Sequence, residues 1–135
     1  MESRFDPDVL RKLKVDKFNK ILIINAPDGY LDLFEGLPAE TVFRADAKGS
    51  YEFVQVFGAN RIELETSLLR VKEAGKYDCH LWACYPKGGG RIQSDLKRET
   101  VWAVLELIGL RPVSQIALDD TWSALRGRPH GEVKR

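Results

Sequence analysis

The chain has 135 residues, one domain's worth, and is long enough to enclose an apolar core. Its 21 Lys and Arg nearly balance 20 Asp and Glu, leaving a formal net charge of +1, so bulk nucleic acid is not expected as a partner. No run approaches the length of a membrane span and MESRFDPDVLRKLK lacks the apolar stretch of a secretion signal, which makes the cytoplasm the expected location.

Residues 1–19 are charged and mixed, with a short helical pattern at Val9, Leu10 and Leu13 after Asp6-Pro7. KILIINAP (20–27) reads as a buried strand, a short apolar run closed by Pro27. Asp28 is placed to cap a helix running to Leu37, with Tyr30, Leu33, Phe34 and Leu37 on its apolar side and Gly36 and Pro38 as stops. TVFRAD (41–46) is expected as a second strand, and YEFVQVF (51–57) as a third, entered through the Lys48-Gly49 turn.

Asn60 and Glu63 have the spacing of a capping box, and the helix they open puts Leu64, Leu68 and Val71 on one face. Gly75 stands where a left-handed helix terminus is expected. DCHLWACY (78–85) is the fourth strand. After it, Ser94 is the expected N-cap of a helix to Ile108, stopped by Gly109 and Pro112. VSQIALDDTWSALR holds two extended runs around Asp119-Asp120-Thr121, too close for a crossover helix, and predicts an antiparallel hairpin. Residues 129–135 read as a flexible tail.

Strand–helix–strand alternation predicts one α/β domain over residues 1–135, with 1–19 as an N-terminal helical segment. It is expected as a Rossmann-like three-layer domain: a mostly parallel sheet of about six strands, helices on both faces, and a terminal antiparallel hairpin. That order is similar to the core of class I methyltransferases, shortened by one strand–helix unit. Topology of this kind is shared by many activities and names none.

The segments YPKG, SDLKRETVW and GLRPVSQIALDDTWSALR, with KILIINAPDGY and YEFVQVF, resemble a family of small bacterial proteins known as a domain of unknown function. The likeness covers most of the chain. It departs at Gly127, where such proteins usually carry an aromatic residue, and at the run of three glycines. The resemblance implies a bacterial origin and brings no activity with it.

In a parallel sheet, ligands collect where strands end and helices begin, here the loops 25–29, 58–61 and 86–94. The last is the richest. Gly88, Gly89 and Gly90 let backbone amides approach an anion, Ser94 opens the expected helix, and Lys87 and Arg91, with Lys97 and Arg98 beyond, add positive charge. No Gly-Lys-Ser/Thr closes the loop, so it is not a Walker A motif. The bland reading is a solvated turn whose glycines spare backbone strain.

A cofactor site needs more. Nucleotide-binding folds place a glycine-rich turn after the first strand and an acid about 20 residues on. Asp46 has that position, but NAPDGY has a single glycine and a proline, so neither S-adenosylmethionine nor NAD is expected. Cys84 and His80 share a strand face about 13 Å apart, too far for proton transfer. Cys79 and Cys84 point to opposite faces and cannot pair, and His80 and His130 supply no zinc ligand set. Asp119-Asp120 reads as a turn pair more readily than as a metal or acid–base site, and Trp122 as core or as an anchor for a partner.

No residue is assigned a catalytic or metal-binding role and no cofactor is expected. The functional expectation is a non-catalytic or weakly catalytic protein that binds a small anion or phosphorylated metabolite at residues 86–94. The alternative is a protein-interaction module on a methyltransferase-like fold that has lost its cofactor site, with a protein partner or a second copy at the hairpin edge.

Overall fold

The computed structural model describes residues 5–6, 8–87 and 92–132. Its centre is a six-stranded sheet of β1 (Ile21–Ile24), β2 (Ala39–Glu40), β3 (Tyr51–Phe57), β4 (Gly75–Pro86), β5 (Leu110–Ala117) and β6 (Trp122–Pro129). The order is β2-β1-β3-β4-β6-β5. β2, β1, β3 and β4 run parallel, whereas β6 is antiparallel to both β4 and β5. This is the mixed sheet with a terminal hairpin that the alternation predicts.

Side chains that alternate along the strands feed two apolar layers. Leu22, Val54, Val56, Leu81, Ala83 and Leu125 face α2 (Arg61–Val71) and α3 (Arg98–Leu107), which contribute Leu64, Leu68, Val101, Val104 and Leu105. Ile21, Ile23, Phe53, Trp82, Cys84 and Ala124 face α1 (Asp8–Leu13) and two 3₁₀ turns, which contribute Val9, Leu13, Val15, Tyr30 and Phe34. The N-terminal segment is therefore part of the second layer, and Phe5 is buried with it.

Several local expectations are corrected. No α-helix covers residues 28–37; the segment is a 3₁₀ helix at Tyr30–Phe34 with no side-chain cap. Gly29 at φ 83 and Gly36 at φ 86 are both left-handed and break the helical path on either side of the turn. The strand expected at 41–46 is also absent. Only Ala39–Glu40 pairs with β1, Val42 is exposed, and residues 41–50 carry the chain back through a 3₁₀ turn at Ala45–Ala47 to the start of β3.

Gly75 does not end a helix in the left-handed region; it opens β4, and a Cβ there would collide with the Cys79 side chain. α3 starts at Arg98, four residues beyond the expected cap. The hairpin is longer than its motif suggests, and residues 129–132 are not a flexible tail: Pro129 still belongs to β6 and His130–Glu132 forms a 3₁₀ turn. Residues 133–135 lie outside the described residues. Cys79 and Cys84 are free and, as the spacing requires, sit in opposite layers.

Candidate functional site

The carboxyl edge of the parallel strands is where a ligand is expected. Its first loop is closed by its own side chains. Asn25, at φ 61, donates through Nδ2 to the Phe57 carbonyl at 3.2 Å and to Ser67 Oγ at 3.0 Å, which ties the end of β1 to β3 and α2. The turn that follows is held by Tyr30 N–H on the Pro27 carbonyl at 3.1 Å. Tyr30 then enters the apolar layer against Phe5, Phe34 and Phe57, with ring centroids 5.0, 5.4 and 4.9 Å away.

Beneath that loop lies a buried polar chain. Tyr30 Oη donates to Gln55 Oε1 at 2.7 Å, and Gln55 Nε2 donates to Cys84 Sγ at 3.3 Å. All three side chains are inaccessible to solvent. Burial pushes the Tyr30 phenol well above its ordinary range and the Cys84 thiol up to about 12, so both are neutral at pH 7. Cys84 is therefore not a nucleophile. His80, on the same face, packs on Phe18 at a centroid distance of 4.8 Å. Desolvation first, then the positive charges of Arg126, Lys17 and Lys14, hold its pKa down to about 4.

The second loop meets the N-terminus of α2, the natural place for an anion. Three side chains of the protein already occupy it. Asn60 Oδ1 accepts from Glu63 N at 2.9 Å, Glu63 Oε1 from Ala59 N at 3.3 Å, and Asp95 Oδ1 from Arg61 N at 2.8 Å. The Asp95 carboxylate does there what a bound phosphate would do. Gly58 is required by close approach: a Cβ at this position would lie 2.6 Å from the Leu64 Cα.

Of the expected anion site, Lys87 and Ser94 are placed and Gly88, Gly89, Gly90 and Arg91 lie outside the described residues. Lys87 follows β4, half-buried, with its amide on the Thr121 carbonyl at 2.8 Å. Ser94 Oγ accepts from Leu96 N at 3.0 Å and forms a local turn, not the cap of α3. Lys97 holds the cap position without a side-chain hydrogen bond.

Asp46 is not at this edge. It lines a surface hollow with Lys20 and Ser50, which precede β1 and β3, and its carboxylate is 3.8 Å from Arg44 Nε. Asp119 Oδ1 accepts from Thr121 N at 2.8 Å and Trp122 N at 2.7 Å, so it organises the hairpin turn. Among the described residues no group of three or more His, Cys, Asp or Glu is arranged to hold a metal.

Sequence reasoning missed Asp95 and the Tyr30–Gln55–Cys84 chain. Gln55 left a signal: it is the one amide inside the apolar run YEFVQVF. A buried amide needs partners, and that requirement points across the sheet.

No family model matches this sequence, and a search of curated proteins finds no match. Solved structures do match. A SAM-dependent methyltransferase from Aquifex aeolicus aligns over 91% of this chain and 89% of its own, at 14% identity and a TM-score of 0.59. A type 11 methyltransferase from Sulfolobus solfataricus, described as putative in its structure, aligns over 94% and 81%, at 12% identity and a TM-score of 0.55. A protein of the NADB-Rossmann superfamily from Streptococcus agalactiae aligns over 99% and 73%, at 8% identity and a TM-score of 0.55. The fold is Rossmann-like and methyltransferase-like.

Proposed function

We propose that this protein is a non-catalytic interaction module on a methyltransferase-like scaffold, one that does not hold S-adenosylmethionine or NAD. The observation that carries this reading is that the protein's own side chains close the loops after β1 and β3. Asn25 ties the first loop down, Tyr30 occupies the space beneath it, and Asp95 takes the anion position at α2. The turn after β1, where a nucleotide-binding fold receives its cofactor, is tied down by Asn25 and carries a proline and a single glycine. The partner surface in this reading is β5, the outer strand of the sheet, with Val113 39% exposed and Ser114 and Gln115 beside it open to solvent. An outer strand offers unpaired backbone groups to an incoming strand.

Calorimetric titration with S-adenosylmethionine and NAD is expected to give no stoichiometric micromolar complex; such a complex with either would restore an enzyme reading. Val113→Lys with Gln115→Lys places charge on the edge without touching the core. It is expected to abolish capture of a partner strand or self-association in sedimentation, and unchanged association would place the interface elsewhere.

A second reading keeps a small anion or phosphorylated metabolite at residues 86–94. It is favoured by the first turn of α3, where no side chain caps the helix and Lys97 and Arg98 stand together. Thermal shift with phosphate, sulfate and nucleotides tests it. Lys87→Ala with Arg91→Ala is expected to lose any stabilisation that the wild type shows.

A further inference from the structure

An apolar recess lies at the end of the sheet opposite the carboxyl edge. α2 and α3 both end there, β4 begins, and β6 runs out, leaving a cleft of about 340 Å³. Its floor is Val71, Cys79, Leu81, Ile108, Leu110 and Gly127. That size is at the small end of ligand pockets, which run from about 300 to 1,000 Å³. A Cβ at Gly127 would stand 3.2 Å from Leu110 Cβ and 3.3 Å from Leu105 Cδ2, so any other residue there would press on these two leucines.

The charges around the mouth choose the ligand. Asp78, on the wall, is already paired: Arg128 Nε donates to Oδ1 at 2.8 Å and the second guanidinium nitrogen to Oδ2. Lys72 has no ion-pair partner among the described residues, and Lys76 is held only at 3.9 Å from the Glu52 carboxylate. The C-terminal ends of α2 and α3 oppose an anion, but turn amides take up part of that negative potential. Ala74 N–H bonds the Val71 carbonyl at 2.9 Å, Ile108 N–H the Leu105 carbonyl at 3.1 Å and Gly109 N–H the Glu106 carbonyl at 3.1 Å. Lys72, with Lys76 only loosely held by Glu52, puts positive charge beside two partly satisfied helix ends and favours a negative head at the mouth.

We propose that this cleft binds a small amphiphile, with a linear or aromatic apolar body over Leu81, Leu110 and Gly127 and a carboxylate or similar anionic head between Lys72 and Lys76. The site is separate from the loops after β1 and β3 and from the exposed Val113–Gln115 stretch of β5, and it stands whether or not the interaction reading does. No covalent step is involved.

Two-dimensional amide NMR on the intact protein, titrated with octanoate and with 1-octanol, tests it. Octanoate is expected to shift the amides of Gly75, Cys79, Gly109 and Gly127 saturably. Lys72→Ala with Lys76→Ala, both on the surface, is expected to weaken octanoate about five-fold at low salt and leave 1-octanol unchanged. Gly127→Ala, which presses on Leu105 and Leu110 beside the cleft, is expected to weaken both. Shifts that fall elsewhere, no saturable shift, or a lysine double variant that binds octanoate as well as the wild type would each overturn the proposal.

Discussion

At the scale of single residues, Gln55 is the most exacting side chain in the molecule. It sits in the middle of the central strand β3, fully buried, and stays satisfied through Tyr30 and Cys84. Tyr30→Phe keeps the ring packing but strands Gln55 Oε1. It is expected to cost about 1–3 kcal/mol in urea unfolding. Adding Gln55→Leu should recover part of that loss, since an apolar pair needs no partner. His80 gives a second test. Its folded pKa lies near 4, below the ordinary 6.5, because burial and then Arg126, Lys17 and Lys14 disfavour its charge while Asp78 pulls the other way. Above pH 6.5 both folded and unfolded forms are neutral. As the pH falls toward 4 the unfolded chain takes up the proton first and stability is lost. His80→Phe is expected to flatten the stability profile between pH 6.5 and 4, and an unchanged slope would mean that other groups govern the acid limb.

The elements show what periodicity and capping can say and where they stop. α2 was legible to its first residue, because Asn60 and Glu63 reach back to their own backbone and need nothing from the rest of the fold. β3 and the hairpin were legible for the same local reason. The segment 28–37 has a helical apolar spacing, yet it is bounded by two left-handed glycines and settles as a 3₁₀ turn. The 41–46 stretch has β-branched residues but no neighbour to pair with beyond Glu40. Ser94 looked like a cap and is a turn, since the chain first drops Asp95 onto α2. That last contact spans 34 residues and no local pattern announces it. Asp95→Ala should destabilise the protein by about 0.5–1 kcal/mol, at the low end for a cap because the bond is exposed. Combined with Asn60→Ala the losses should fall short of additive in chemical denaturation, since both caps serve one helical turn.

For the whole molecule, the fold was legible and the candidate site only in part. Alternation of strands and helices specifies a layered sheet, and the layers follow from side-chain period alone. A ligand edge depends on which side chains fill it, and Asn25, Tyr30 and Asp95 do so from distant positions in the chain. The ion pairs of the surface add little to holding this arrangement together. Lys48–Glu73 and Arg11–Asp8, for instance, are both well exposed and screened by solvent.

The place of β6 has a consequence for how the chain reaches this state. The last strand in chain order is an inner strand of the sheet, wedged between β4 and β5. Until it arrives, the half of β4 from Leu81 to Pro86, buried on completion, presents an uncovered apolar edge. Docking must wait for the hairpin to close and then find β4 across some 40 intervening residues, a search that slows folding. A partly folded population with an open β4 edge is a template for pairing between chains. Refolding from denaturant is therefore expected to lose yield as protein concentration rises, with the missing fraction in aggregates recovered by sedimentation. A yield independent of concentration would mean that β6 docks before the edge is ever exposed.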